Sequence, residues 1–337
     1  MTTMKAAFIT KYGHDQKLVF GDLQAPVCGD TDVLVEIHAT SLNPIDFKIR
    51  DGKIKFLRAY SFPLILGHDV AGIVVAVGSK VTGFKKGDRV YSRPRNGRTG
   101  SLAQMIAIDE NELALMPKDA TFEEAASLPL VGLTSMQALV DIAGMKKGDR
   151  VFIQAGSGGV GSFAIQYAKH VGVHVITTTS SRNVEFVRSL GADEVIDYTT
   201  RKFEDVLKNV DIVFDTLGGD ALYKSFQILR PGGWVVSISG DPDQHLADDM
   251  KLNFIKREIL RIVGRKANGL AKKAKAHYRF IFMHSSGKQL AEITRLVEAG
   301  IIKPVIDKVF SFSEAQQAME YLEKGRSRGK VIVKICD

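Results

Sequence analysis

The sequence predicts an α/β protein: a doubly wound parallel sheet joined to a second, mainly β domain. Three observations carry this reading. A strand, a glycine turn and a helix pattern follow one another in VFIQAGSGGVGSFAIQYAKHVG, residues 151–172. Apolar strands then alternate with helical segments through the next hundred or so residues. The first 110 residues instead offer short β-rich pieces without long helices.

In the 151–172 stretch, Val151, Phe152 and Ile153 are β-branched or aromatic, as a buried parallel strand requires. Gly156, Gly158, Gly159 and Gly161 then remove the Cβ atoms that would block the backbone. Val160, Phe163, Ala164, Tyr167, Ala168 and Val171 follow at helical spacing. The first N–H groups of such a helix are unpaired and have the helix dipole behind them. A pyrophosphate therefore suits the turn of Gly156, Ser157, Gly158, Gly159 and Val160. Glycines also make ordinary tight turns, but a second strand, HVITTT at 174–179, follows at the spacing of a dinucleotide-binding unit.

An enzyme preferring NAD places Asp or Glu after this second strand to hold the ribose hydroxyls. Here the chain reads Thr179, Ser180, Ser181, Arg182, Asn183, with no carboxylate before Glu185. Hydroxyls and a guanidinium suit the extra 2′-phosphate of NADPH. The alternative is a polar loop with a solvated arginine.

Composition is that of a soluble enzyme: 337 residues, 45% hydrophobic and 25% charged. The opening MTTMKAAFITKYG lacks a charged region followed by a long apolar run, and no segment approaches twenty uninterrupted apolar residues. A cytoplasmic location and no membrane partner are expected. Cys28 and Cys336 are the only cysteines, too few for a disulfide framework or a cysteine-rich metal site. The net charge is +8, and AKKAKAHYR at 271–279 is the densest basic run. It reads as a solvated helix face, so nucleic acid is not expected as a partner.

Along the chain, KAAFIT, VLVEIHA, DVAGIVVAVG, RVYS and LAQMIAI form a small curled β domain. A helical stretch from about 122 opens with Thr121 as N-cap and Glu124 completing a capping box. Strands follow the glycine turn near 174, 194 (EVIDY), 211 (DIVFDT), 234 (WVVSIS) and 259 (ILRIVG), with helices such as RNVEFVRSLGA and ALYKSFQILR between them. The helix GKQLAEITRLVEAG closes this region, and IIKPVIDKVFSF, SEAQQAMEYLEKG and GKVIVKI return to the first domain.

The segments LNPIDFKIRDG, PLILGHDVAGIVVAVG, KKGDRVY, QAGSGGVG, LGADEVIDY and GKVIVKI occur in this order. Together they resemble the medium-chain dehydrogenase/reductase superfamily over essentially the whole chain. The resemblance implies a GroES-like catalytic domain at 1–126 and 301–337, and a Rossmann NADP-binding domain at 127–300. Where zinc alcohol dehydrogenases have Cys-His-Thr-Asp, this chain has Asn43-Pro44-Ile45-Asp46, and 91–111 contains no Cys. His68 remains, but one imidazole does not hold a metal, so no metal is expected and His68 reads as a packed or hydrogen-bonded residue. The chain thus resembles the zinc-free quinone oxidoreductase branch and its enone and alkenal reductase relatives; the NPxDxK pattern is that of the reductases. Quinone oxidoreductases often carry tyrosines at Lys48 and near Ile54.

A zinc-free site implies a substrate that delocalises its own developing charge, a quinone or an α,β-unsaturated carbonyl, reduced with NADPH. Asn43 and Lys48 are candidate donors to the enolate oxygen. If 44–48 is extended, Asp46 and Lys48 share one face; a helical turn after Pro44 would instead turn Lys48 away and leave it a surface lysine outside the cleft. By resemblance Asp46 orients the nicotinamide; alternatively Asn43 and Asp46 only cap a turn around Pro44. Thr134 resembles a residue beside the nicotinamide. Tyr198 resembles one near the adenine ribose, or else is a core tyrosine. Asp215, Leu217, Gly218 and Ser239 lie at later strand ends, where ligands bind. The resemblance and an open edge at strands 234–239 and 259–264 imply a homodimer. Two other readings stay open: a zinc-type alcohol dehydrogenase relative, and a non-catalytic crystallin-like NADPH- or RNA-binding protein.

Overall fold

The computed structural model describes residues 2–98 and 100–336. The chain begins with β1 (Thr3–Ile9), β2 (Val19–Gln24), β3 (Asp32–Leu42), α1 (Pro44–Arg50), β4 (Leu64–Ile65), β5 (Val70–Val77), β6 (Arg89–Ser92), β7 (Met105–Asp109), β8 (Leu113–Leu115), α2 (Phe122–Ala126) and α3 (Pro129–Met136). It continues through β9 (Arg150–Ile153), α4 (Gly159–Val171), β10 (His174–Thr179), α5 (Val184–Ser189), β11 (Glu194–Asp197), α6 (Phe203–Val206), β12 (Val210–Asp215), α7 (Gly219–Ser225), β13 (Leu229–Ser237), α8 (Gln244–Asp249), α9 (Phe254–Val263), α10 (Arg265–Lys273) and β14 (His277–Phe280). It ends with α11 (Gly287–Glu298), β15 (Ile306–Ser311), α12 (Ala315–Glu323) and β16 (Lys330–Lys334).

These elements form two compact units, Met1–Leu133 with His284–Asp337, and Thr134–Met283. In the second unit, six parallel strands run in the order β11-β10-β9-β12-β13-β14. The order reverses between β9 and β12, so this is the doubly wound arrangement with a crevice at its switch point. Val151, Phe152, Ile153, Val213 and Phe214 are fully buried, which is why both central strands read as unbroken apolar runs. The first unit holds a seven-stranded sheet, β15-β16-β3-β5-β6-β8 with β7 also on β3, and a three-stranded sheet, β2-β1-β4. β16 pairs antiparallel with β3, from Val331 opposite Leu42 to Lys334 opposite Ala39. The last strand therefore completes the first domain, as expected of GKVIVKI.

The Thr121 cap is present: its hydroxyl accepts from the Glu124 N–H at 3.1 Å, and the Glu124 carboxylate accepts from the Thr121 N–H at 2.8 Å. Phe122–Ile142 is long and apolar enough to cross a membrane, but 78% of it is buried inside the protein.

Two expectations are corrected, and one open alternative is decided. The segment 259–264 is helical, not a strand: β-branched residues mask an i, i+4, i+7 spacing of Ile255, Ile259 and Ile262, and the Asn253 side chain caps α9 by accepting from the Lys256 N–H at 3.0 Å. The sixth strand is β14, and it forms the open edge of the parallel sheet. Second, α11 belongs to the first unit, so the return begins near 284 and not at 301. Tyr91 donates its hydroxyl to the Leu290 carbonyl at 2.6 Å, and a side chain at Gly287 would collide with the carbonyls of Leu113 and Asn111. The segment 44–50, open in sequence between extended and helical forms, is a helix, so Asp46 and Lys48 do not share one face. Pro44 stands at its first position, where the ring presets φ and its missing N–H costs nothing.

Candidate functional site

Helix α1 decides what Asn43, Asp46 and Lys48 can do. Two positions apart on a helix, Asp46 and Lys48 point to different faces. Asp46 is fully buried and turns back on its own loop, accepting from the Asn43 N–H at 2.8 Å, the Gly67 N–H at 3.0 Å and His68 Nδ1 at 2.6 Å. Both of its oxygens are occupied, and its bond to the Asn43 N–H caps the first turn of α1. Asn43 is equally committed: its amide donates to the Ser41 carbonyl at 3.2 Å and to Asp69 Oδ2 at 2.8 Å, and its oxygen accepts from Lys330 Nζ. Neither residue has a donor left for a substrate.

Lys48 differs. It is half-buried and has no hydrogen-bond or ion-pair partner among the described residues. Burial, and secondarily the charge of Lys53, pulls its ammonium below the ordinary lysine value of 10.5. A partly desolvated cation without a counter-ion interacts strongly with any oxygen that gains charge beside it.

The centre of this polar cluster is Asp69, which the sequence reading passed over. One carboxylate oxygen accepts from Ser41 Oγ at 2.5 Å, Asn43 Nδ2 at 2.8 Å and Lys330 Nζ at 3.3 Å; the other accepts from the Leu130 N–H at 2.7 Å. Lys330 stands at the start of β16 and is 5% exposed. Burial pulls its ammonium down and Asp69 offsets the shift. Arg93 is buried nearby; burial lowers it to about 10, Asp69 acts in the opposite direction, and it remains a cation at neutral pH. Two buried carboxylates thus sit with two buried cations, the arrangement by which interior charge is tolerated.

This donor set does not fit a tetrahedral zinc centre. Asn43 offers an amide in place of a thiolate, Asp69 is saturated, and the Lys330 ammonium lies against it. His68, 1% exposed, keeps an Nε2 without a hydrogen-bond partner among the described residues, but it is a single ligand. His14, Asp51 and Glu323 also gather, yet Arg50 and Lys53 already neutralise them.

In the second unit the glycine turn lies at the carboxyl end of β9, beside the loop that follows β12. The Gln154 N–H donates to the Phe214 carbonyl at 3.2 Å, and Thr216 Oγ1 donates to the Gln154 carbonyl at 3.1 Å. Gly156 and Gly161 are required by packing: a Cβ would strike Thr177 Oγ1 at the first, and the Ala155 carbonyl at the second. Gly158 caps α4, whose first N–H groups have no intrahelical acceptor and meet the crevice. Ser157 is held in place by Thr179 Oγ1 and Asn183 Nδ2, both at 3.2 Å. These residues fit a dinucleotide pyrophosphate.

The loops after β10 and β11 meet, since the Tyr198 N–H donates to the Thr179 carbonyl at 3.1 Å. Tyr198 is 64% exposed, which removes the core-tyrosine alternative. Arg182 is exposed and Ser180 half-exposed on the same rim, while Ser181 donates its hydroxyl to Asp197. Asp215 is buried, which raises its carboxyl above the usual range, and it shapes the opposite rim. It accepts from the Gly218 N–H at 2.9 Å and from Ser237 Oγ at 2.5 Å. Ser237 in turn accepts from the N–H groups of Ser239 and Gly240. Leu217 and Ser239 therefore lie at strand ends around the crevice. Thr134 is buried.

Lys330 and Asp69 were legible only as a charged residue opening an apolar strand and an acid inside PLILGHDV. Replacing Lys330 by Met keeps the stem and leaves Asp69 buried without its cation. Urea unfolding is expected to show a loss of about 3–5 kcal/mol, partly restored when Asp69→Asn is added. Strictly additive effects would show that the two do not act as a pair.

Two family models match the chain: "Alcohol dehydrogenase GroES-like domain" over residues 29–118 and "Zinc-binding dehydrogenase" over 190–333. The chain is 36% identical to the mitochondrial NAD(P)H oxidoreductase RTN4IP1 of Danio rerio, covering 100% of this chain and 92% of that protein. It is 37% identical to the 2-methylene-furan-3-one reductase of Solanum lycopersicum, over 98% of this chain and 79% of the other. Among solved structures, the quinone oxidoreductase from Coxiella burnetii matches with a TM-score of 0.86 at 32% identity, covering 99% of this chain and 100% of that one. Identity over the whole length, on a shared fold, makes this chain a member of the medium-chain dehydrogenase/reductase superfamily, in its quinone oxidoreductase and enone reductase branch.

Proposed function

We propose that the protein is a zinc-independent, NADPH-dependent oxidoreductase that delivers hydride to a quinone or to the C=C of an α,β-unsaturated carbonyl. The observation that carries this reading is Asp69 sealed by Lys330 and Asn43, where a metal-dependent relative would need ligands. A saturated ketone requires strong stabilisation of an alkoxide; a conjugated carbonyl spreads the incoming charge into an enolate, which a single donor suffices to meet. The names of the similar proteins support this substrate class, since a 2-methylene-furan-3-one is an alkene conjugated with a ketone. NADPH supplies the hydride when bound. The protein's own work is to hold the pyrophosphate on the first turn of α4 and to present a cation to the substrate oxygen. A cytoplasmic location is part of this proposal.

Lys48 is that cation. Across a panel of enones, alkenals, quinones and simple ketones, the wild-type protein is expected to oxidise NADPH only with the conjugated members. Lys48→Met should lower kcat with an enone about a hundredfold, roughly 3 kcal/mol, while NADPH affinity stays constant. The ammonium is the active form, and its folded-state value lies below 10.5, so wild-type kcat falls as pH rises through that lowered value. Lys48→Met loses this alkaline limb. Turnover of saturated ketones alone would overturn the function; an unchanged kcat would return Lys48 to a surface role.

Ser180, Arg182 and Tyr198 together favour NADPH over NADH, because a guanidinium–phosphate bond is worth about 1.5–3 kcal/mol. Arg182→Ala should erase most of the preference, read as the ratio of the two dissociation constants. An unchanged ratio would assign the 2′-phosphate to Tyr198 or Asn183.

We further propose a homodimer paired along the open edge at β14. Sedimentation at micromolar concentration should give twice the 37.0 kDa chain mass; a monomer would refute it.

A further inference from the structure

Helices α9 and α10, joined at Gly264, expose two unlike surfaces side by side. On α9, Leu260 faces inward while Phe254 (73% exposed), Ile255 (69%), Ile259, Ile262 (57%) and Val263 face solvent. Ile255, Ile259 and Ile262 recur at i, i+4, i+7, so they form one stripe. On α10 the pattern inverts: Ala267 and Ala271 pack inward, and Arg265, Lys266, Lys272 and Lys273 fill the outer face around Gly269. Residues 254–275 carry eight Lys or Arg against one Glu, nearly the whole surplus of the chain. Arg257 and Arg261 are answered by Asp248 and Glu258, and Lys266 lies over the Tyr223 ring at 3.5 Å. Arg265, Lys272, Lys273 and Lys275 have no counter-ion among the described residues.

We propose that this α9–α10 face docks the protein peripherally on a bilayer surface rich in anionic lipid. An apolar stripe beside a basic face matches the two layers of such a surface: isoleucine and phenylalanine enter the acyl boundary while lysine and arginine meet headgroup phosphates. A second copy of the chain fits poorly, because apposed α10 faces bring like charges together. A nucleic acid would engage the lysines and leave the isoleucines in water. The one helix among the described residues long and apolar enough to span, Phe122–Ile142, is mostly buried inside the protein, so the proposal is docking on a surface and not insertion.

Flotation of the full-length protein with vesicles tests the proposal. The protein is expected to float with an equal mixture of phosphatidylcholine and phosphatidylglycerol, and not with phosphatidylcholine alone. Lys272→Gln/Lys273→Gln should weaken this binding about twentyfold, and added salt should weaken it further. Ile255→Gln/Ile262→Gln, which keeps helix propensity, should abolish flotation while NADPH turnover and circular dichroism remain those of the wild type. Failure to float with the mixed vesicles, or flotation that both double variants retain, overturns the proposal. So does a lipid-free assembly that Ile255→Gln/Ile262→Gln breaks apart without any vesicle binding, which would give the face to a second copy. Binding to a polyanionic RNA that the isoleucine variant leaves intact, again without flotation, would likewise overturn it.

Discussion

Asp69 is the residue on which the first domain's polar interior depends. A carboxylate with no exposure survives only if its charge is met, and here four groups meet it: a serine hydroxyl from β3, the Asn43 amide, the Lys330 ammonium from β16 and a backbone N–H at Leu130. These donors come from distant parts of the chain, so the carboxylate ties together β3, the entry to α1, β16 and the start of α3. Removing one donor exposes the rest to the full cost of a buried, underpaired charge.

The same interaction sets the chemistry. Lys330 stands beside Asp69 and Asn43 with its positive charge, so the cluster is electrically closed. Asp46 completes the closure by fixing Asn43, Gly67 and His68 with its two oxygens. On α1 the half-buried Lys48 is left outside this network. Saturation of the interior polar groups thereby concentrates the proposed chemistry on one side chain.

The cofactor domain obeys a different constraint, close backbone approach. Gly156 and Gly161 admit no side chain because Thr177 and the Ala155 carbonyl occupy that space. The turn is thereby pressed against the sheet, with the first N–H groups of α4 facing the crevice. Asp215 plays the matching part on β12, where its carboxylate gathers N–H groups of the following loop and the Ser237 hydroxyl. The candidate binding residues at strand ends are therefore positioned by buried polar groups next to them.

Much of this was written locally and so was legible in the sequence. The β9–turn–α4 unit, the alternation of β10 through β13 with helices, the Thr121 capping box and the missing thiolate at Asn43 each rest on neighbours a few residues apart. Three matters needed the tertiary structure. Propensity left 44–50 open between extended and helical forms and made 259–264 read as a strand; Pro44 at the first position of one helix and the Asn253 cap of the other accompany the helical outcome. The partners of Asp69 lie up to 261 positions away, a distance over which sequence carries no pairing information. Lastly, which face of α9 is buried depends on what packs against it. A periodicity of isoleucines specifies a stripe, while only the assembled fold determines that the stripe faces water.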